Sequence, residues 1–306
     1  MPPPGVDPRL LVVTGAQGLL GSAVAAQARR RGLEVRSLGR AEADLSQPGS
    51  FERQLARRPP LAVIHCAAWT DVDGCQRDPA RAERDNAQAA GWVVEACRRL
   101  GSRLVAISTD AVFDGEASPP YAYSESDRPG PLSVYGRTKL EAERRALQWP
   151  EALVVRTNFL GPLGRGFGGW LYRALVEGRG ITLFEDARFT PLYVSDLGER
   201  LVRLAIDHPA EQGVLHLGGA EAVSKAELGL ALAHRLGLST ERIRRGRIAD
   251  QVFDAPRPRN TALDSRRAAG LLGPLPSLDQ TLEAFCRDVA HALACRGELQ
   301  LAEGRR

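Results

Sequence analysis

The chain has 306 residues, 43% of them hydrophobic and 25% charged, with a net charge of +4. That length buries one large core with a smaller lobe, and an arginine excess scattered without long like-charge runs argues against a nucleic-acid binder. Five cysteines with no CxxC or metal-ligand spacing, and no stretch near 18 consecutive apolar residues, speak against a disulfide framework, a metal site and a membrane-spanning helix. With no cationic and apolar leader at its start, the chain is expected in the reducing cytoplasm, with no membrane as partner.

Residues 9–14 (RLLVVT) form a short Leu/Val run ending at a glycine, which predicts a buried strand. A helix is expected over 20–31, stopped by Gly32. Strands follow at 34–38, 62–65, 103–109 and 152–157, with helical stretches at 50–57, 79–100 and 134–147 between them. Strand and helix alternating at this spacing predict a parallel sheet covered on both faces. After residue 157 the rhythm changes. Gly161, Gly164, Gly166, Gly168 and Gly169 crowd a loop; helices are expected at 170–177, 195–208, 225–236 and 278–293, a strand at 214–217 and a proline-rich loop at 255–259. The expected architecture is α/β: a Rossmann-type doubly wound parallel sheet over 8–160, completed by segments near 191–220, with a smaller C-terminal substrate-binding lobe mainly over 161–300.

Thr14-Gly-Ala-Gln-Gly-Leu-Leu-Gly21 sits where the first strand meets the first helix. Gly15 permits the tight turn, Gly18 lets the backbone approach a pyrophosphate, and Gly21 allows close helix–sheet packing. The helix N-terminus adds free N–H groups and a partial positive charge. The second strand ends Ser37-Leu-Gly-Arg40 with no acid at its tip. An acid there would grip a ribose 2′-hydroxyl, whereas an arginine suits a 2′-phosphate, so NADPH is favoured, with NADH as the alternative.

The chain contains 41 basic residues, of which only Lys139 and Lys225 are lysine. Lys139 closes Tyr135-Gly-Arg-Thr-Lys139, a spacing that places phenol and ammonium on one helix face. A compact ammonium beside a phenol is expected to lower the tyrosine pKa from its ordinary value of about 10, a role the broad arginine fork would not fill in the same space. The fourth strand ends Ile107-Ser-Thr-Asp110, and ligands in such sheets bind outside the carboxyl ends of the strands, so Ser108 and Thr109 are expected to face the crevice. The chemistry implied is hydride transfer to a ketone. Tyr135 acts as general acid, Lys139 tunes it and holds the nicotinamide ribose, and Thr109 orients and polarises the carbonyl.

The G-x-x-G-x-x-G spacing with Tyr-x-x-x-Lys downstream resembles the extended short-chain dehydrogenase/reductase superfamily. His65-Cys-Ala-Ala-Trp-Thr-Asp-Val-Asp73, Ile107-Ser-Thr-Asp110, Val112-Phe-Asp-Gly115, Pro131-Leu-Ser-Val-Tyr-Gly-Arg-Thr-Lys-Leu-Glu141, Arg156-Thr157, Pro191-Leu-Tyr-Val-Ser-Asp196 and Arg257-Pro-Arg-Asn-Thr-Ala-Leu-Asp264 are similar, in order, to the dTDP-4-dehydrorhamnose reductase family. That resemblance implies NADPH-dependent reduction of the 4-keto group of a nucleotide-linked 6-deoxy sugar. It implies cofactor contacts by Gly15, Gln17, Gly18, Leu19, Gly21, Arg40, Asp44, Leu45, Cys66, Ala67, Ala68, Tyr135 and Lys139. Substrate contacts fall to Trp69, Asp110, Val112, Phe113, Asn158, Phe159 and Arg257, and no metal is implied. Family members often pair, so a homodimer is compatible with it.

Three departures lie among the implied substrate contacts: Ala111 where the family commonly has tyrosine, Phe159 in place of a tryptophan, and Phe184-Glu-Asp-Ala-Arg-Phe-Thr-Pro191 in place of a Gly-(Ser/Ala)-Pro-Thr context. The hydride chemistry is therefore drawn more firmly than the sugar. Two other readings fit the same fold. A catalytically silent NADP-binding regulatory subunit is disfavoured because Thr109, Tyr135 and Lys139 are all present. A nucleotide-sugar epimerase or dehydratase is the other, and the dehydratase would want a carboxylate pair beside Thr109, where only Asp110 is adjacent. Asn86 is expected to hold backbone carbonyls, with a direct catalytic role as the alternative. His65 is expected to cap a buried strand, and Trp170 to pack in the core, with the wall of a sugar pocket as the alternative. Arg257 and Arg259, on a proline-stiffened loop, suit bidentate pairing with a diphosphate.

Overall fold

The computed structural model describes residues 5–161 and 166–295. In chain order its elements are β1 (Asp7–Thr14), α1 (Leu19–Arg30), β2 (Glu34–Leu38), α2 (Ser50–Leu55), β3 (Pro60–His65), α3 (Val72–Arg77), α4 (Pro79–Ala82), a π-helical turn (Glu83–Gln88), α5 (Ala89–Leu100), β4 (Arg103–Thr109), a 3₁₀ turn (Asp110–Val112), α6 (Val134–Ala146) and β5 (Leu153–Thr157). There follow β6 (Phe159–Leu160), α7 (Gly166–Val176), β7 (Ile181–Phe184), β8 (Arg188–Phe189), β9 (Leu192–Tyr193), α8 (Val194–Ile206), β10 (Gly213–Leu217), β11 (Val223–Ser224), α9 (Lys225–Arg235), β12 (Ile243–Gly246), α10 (Arg266–Leu272) and α11 (Leu278–Cys295).

Six strands in the order β10-β5-β4-β3-β1-β2, parallel throughout, form the central sheet. Its inner strands read as largely apolar runs because helices cover both faces, while the edge strand β2 (EVRSL) is half exposed. Alternation divides each run between two cores: Leu11, Val13 and Ile64 pack with α1 and α8, while Leu10, Val12 and Val63 pack with Phe51, Leu55 and Val93 of α2 and α5. The chain reverses its winding direction between β1 and β3, which opens a crevice at their carboxyl ends. Beyond the sheet, three two-stranded ladders, β6 with β9, β7 with β12, and β8 with β11, organise the later half of the described chain.

Two expected helices differ: the one expected over 170–177 begins at Gly166, so that Gly166, Gly168 and Gly169 are helical rather than in a loop, and the other is interrupted. Residues 79–100 break into α4, the π turn and α5. Asp78 starts the run by accepting the Arg81 amide at 3.0 Å, ahead of Pro79 at the first helical position. The wider π turn rolls Asn86 into the interior, where it is buried. Helices α3 and α10 and the short ladders are additions to the expected elements; strands of two to four residues carry little periodicity to read. Part of the glycine-rich loop, residues 162–165, lies outside the described residues. Among the described residues no helix is long and apolar enough to cross a membrane, and no cluster of three or more His, Cys, Asp or Glu side chains could hold a metal ion.

Candidate active site

A cavity of about 310 Å³ occupies the crevice at the ends of β1, β2 and β3. Gly15, Gly18, Arg40, Asp44, Leu45, Cys66, Ala67, Ala68 and Trp69 all line it. Gly15 has φ +63°, and a Cβ there would stand 2.7 Å from the Ala67 amide nitrogen. A Cβ on Gly21 would stand 2.2 Å from the Gly15 carbonyl oxygen, so the turn closes only around bare backbone. Thr14 Oγ1 and His65 Nδ1, 2.7 Å apart and buried, tie the two strand ends together. Burial pushes His65 down to about 3 and the Cys66 thiol up to about 12, so both stay uncharged at neutral pH. Asp44 is held below the usual carboxylate range by the hydroxyl and amide of Ser46. Gln17 packs against Gly39, and Leu19 against Gly161, so neither lines the cavity; Gly21 acts beneath the turn rather than on its surface. The Gly39 amide donates to Glu42 at 2.8 Å, so an acid missed in the sequence does reach the tip of β2.

Helix α6 delivers Tyr135. Ser133 caps it by accepting the Gly136 amide at 3.1 Å, and a Cβ on Gly136 would lie 2.4 Å from the Ala111 carbonyl, so the helix crosses directly over the end of β4. Lys139, one turn on, is buried, and its Nζ donates to the Ile107 carbonyl at 2.7 Å. Burial lowers its pKa to about 8, with the charge of Glu143 opposing. Tyr135 departs from expectation. Its hydroxyl is pushed up, not down: desolvation of the phenolate dominates, hydrogen bonding with Thr109 works the other way, and the ammonium of Lys139 is directed to the Ile107 carbonyl instead. The phenol is therefore fully protonated at neutral pH and equipped to give a proton.

Ser108 is the second correction. Neighbouring residues of a strand point to opposite faces, so with Thr109 toward the cleft, Ser108 turns inward and donates to Glu143 at 2.5 Å. Glu143 also accepts from Arg156 at 2.7 Å, a fully buried ion pair behind Lys139. Asp110 is held by Thr109 at 3.2 Å, Asn158 at 3.0 Å and Thr261 at 2.7 Å, and burial raises its pKa.

A larger cavity of about 790 Å³ opens beside these groups. Thr109, Asp110, Tyr135, Asn158 and Phe159 form one wall; Phe167, Trp170, Phe184, Phe189, Lys225, Phe253 and Arg257 line the others. Arg257 donates to Asp73 at 2.7 Å and lies over the Phe253 ring, while its Nη1 is buried without a partner. Trp170 is part of this lining, stacked on Phe167 at 5.8 Å. Three expected substrate contacts lie elsewhere. Val112 and Phe113 are fully buried with Tyr123 and Leu263, Phe113 stacking on Tyr123 at 4.1 Å, because the 3₁₀ turn after Thr109 directs them into the core. Trp69 lines the smaller cavity, with the Arg81 guanidinium 4.0 Å over its ring. Asn86 clamps the Trp69 backbone, accepting its N–H at 2.7 Å and donating to its carbonyl at 3.1 Å, and also donates to Thr138 at 3.1 Å. Sequence reasoning did not single out Lys225 or Thr261; the scarcity of lysine was the available signal for Lys225, and Thr261 stands inside the Arg257–Asp264 motif, while Phe189 belongs to the departing segment Phe184–Pro191.

A Rossmann-type sheet whose crevice meets a Tyr/Lys/Thr group defines an oxidoreductase of the short-chain dehydrogenase/reductase kind. The chain belongs to the RmlD substrate binding domain family, whose model matches residues 9–291. It is 38% identical over 265 residues to a dTDP-4-dehydrorhamnose reductase of Mycobacterium tuberculosis, covering 85% of this chain and 86% of the relative. It is 34% identical over 281 residues to a probable dTDP-4,6-dihydroxy-2-methyloxan-3-one 4-ketoreductase of Streptomyces antibioticus, covering 90% and 94%. The dTDP-4-dehydrorhamnose reductase of Bacillus anthracis, solved in complex with NADP, superposes with a TM-score of 0.85 at 25% identity, covering 92% of this chain and 99% of that one.

Proposed function

We propose that the chain uses NADPH to reduce the 4-keto group of a nucleotide-linked 6-deoxy sugar. The observation that carries this reading is the meeting of Tyr135 and Thr109 on one wall of the 790 Å³ cavity, with the buried Lys139 one turn behind on the same helix. The glycine cradle, where any Cβ would collide with backbone, fits a dinucleotide pyrophosphate, and the exposed Arg40 guanidinium, only loosely paired with Asp85 at 3.6 Å, fits a 2′-phosphate. The bound nicotinamide supplies the hydride. Tyr135, kept neutral by burial, gives its proton to the carbonyl oxygen as that oxygen gains the electron pair. Thr109 orients the carbonyl, and Lys139 holds the ribose side of the site. Arg257, with an unpartnered Nη1, takes the diphosphate. We read the sheet, completed by β10, as the cofactor-binding part and the segments mainly from 161–300 as the substrate-binding lobe.

The test is turnover of purified protein with NADPH and enzymatically generated dTDP-, UDP- and GDP-linked 4-keto-6-deoxy sugars, followed by NADPH absorbance beside a Tyr135→Phe control. Turnover that disappears in the control supports the reductase and names the sugar. NADPH binding without turnover of any of the sugars would remove this reading in favour of a silent cofactor-binding subunit.

A further inference from the structure

Lys225 is a cation in an unusual place. It is the first residue of α9, at a helix N-terminus, where the helix dipole disfavours positive charge. Its position is nevertheless tightly set. Its amide donates to the Ala187 carbonyl at 2.9 Å, Ser224 before it forms a capping box with Glu227, and the β8–β11 ladder places Ser224 opposite Arg188. The ammonium lies 3.4 Å from the centre of the Phe189 ring and 4.2 Å from that of Phe167, on the lining of the larger cavity. Two ring faces attract it, and the charge of Asp110 supports it.

What Lys225 lacks is a hydrogen-bond acceptor. The other cations of this cleft have carboxylate partners, Arg179 with Glu177, Arg188 with Glu227, Arg257 through one nitrogen with Asp73 and Arg259 with Glu116, although Arg257 Nη1 has none. Asp110 already accepts from Thr109, Asn158 and Thr261. Lys225 makes no hydrogen bond or ion pair to any described residue, which leaves three N–H donors for whatever enters. Burial lowers its pKa to about 8, so its charge is held there at a cost. If ring contact were its whole purpose, arginine would serve as well, and this chain uses arginine at every basic position except 139 and 225. A compact ammonium suits a single oxygen in a confined space.

We infer that Lys225 is a specificity-determining residue, donating to a ring hydroxyl oxygen of the pyranose whose carbonyl sits at Thr109 and Tyr135. The inference rests on the nucleotide-sugar reading. A hydroxyl is favoured over the diphosphate because the Asp110 carboxyl beside Lys225 repels a polyanion and tolerates a neutral alcohol.

The experiment measures binding by calorimetry in the presence of NADP, using the matched unreactive pairs dTDP with dTDP-glucose and UDP with UDP-glucose, on wild type, Lys225→Met and Lys225→Arg. In wild type the nucleotide sugar is expected to bind more tightly than its free nucleotide. Both variants are expected to lose that advantage, with about a tenfold drop for the sugar, unchanged affinity for the free nucleotide and NADPH, and an unchanged melting temperature. A parallel loss for nucleotide and nucleotide sugar would make Lys225 a diphosphate contact and overturn the inference. So would an unchanged sugar affinity in Lys225→Met, which would leave only the ring contact, or full affinity in Lys225→Arg. Wild type that binds neither pair would remove the nucleotide-sugar reading itself, and this inference with it.

Discussion

The two cavities of this site are made from different material. The smaller has glycine and alanine along much of its floor, Gly15, Gly18, Gly39, Ala43, Ala67, Ala68 and Ala89, with polar side chains such as Arg40, Asp44 and Ser46 at the end of β2. The larger is walled by Phe159, Phe167, Trp170, Phe184, Phe189 and Phe253, with Lys225 and Arg257 set among the rings. Phosphates are recognised by N–H groups that every residue carries, so such a site is made by removing side chains. A sugar has to be read by side chains, so the other site must gather them from distant segments. The phosphate turn of the first lies in one short stretch, Thr14–Gly21, whereas no single stretch specifies the second.

Removing one oxygen atom from the wall they share in function should have the largest effect. Tyr135→Phe is expected to lower kcat by about 10²- to 10⁴-fold while NADPH affinity, measured by fluorescence titration, stays within twofold; an active variant would move the proton donor elsewhere. Gly21→Ala comes next. One methyl 2.2 Å from the Gly15 carbonyl forces the cradle apart, and an overpacking cost of about 1–3 kcal/mol should appear as NADPH affinity weakened about tenfold or more. By contrast Phe253→Leu, a change of several atoms in the side-chain-built cavity, should raise KM for the nucleotide sugar only a few-fold, matching the loss of a partly exposed Arg257–ring contact of about 0.5–1 kcal/mol, with NADPH affinity untouched. Equal damage from Gly21→Ala and Phe253→Leu would break the contrast between the two sites.

The smallest effect concerns pH. The folded-state pKa of Lys139, about 8, lies below its ordinary 10.5. Between those values the unfolded chain binds more protons than the native one, so this residue makes stability rise as pH increases from about 8 toward 10. Urea unfolding across that interval should show a shallower rise in Lys139→Met than in wild type; parallel curves would mean that Lys139 is not desolvated.

Much of this was legible in the chain. The inner sheet strands show as apolar runs because they are buried on both faces, and the turn from Thr14 to Gly21 is read from three glycines. Tyr135 and Lys139 could be placed on one helix face by spacing alone. The sign of the tyrosine shift could not, since it depends on how deeply the surrounding fold desolvates the phenol and on the Ile107 carbonyl that takes the ammonium. Val112 and Phe113 are substrate contacts by the family resemblance, but a single 3₁₀ turn sends them into the core. Lys225 stood out in the composition, yet only the pairing of β8 with β11, 34 positions apart at Val223 and Phe189, brings it into the same cavity as Tyr135.

The π turn that carries Asn86 has a mechanical consequence. One amide side chain grips both backbone groups of Trp69 and also Thr138, which lies on α6 between Tyr135 and Lys139. The loop flanking the nucleotide crevice and the helix bearing the proton donor are thereby riveted together. A shift of α6 away from the crevice would therefore have to break the Asn86 bonds to Trp69 or Thr138.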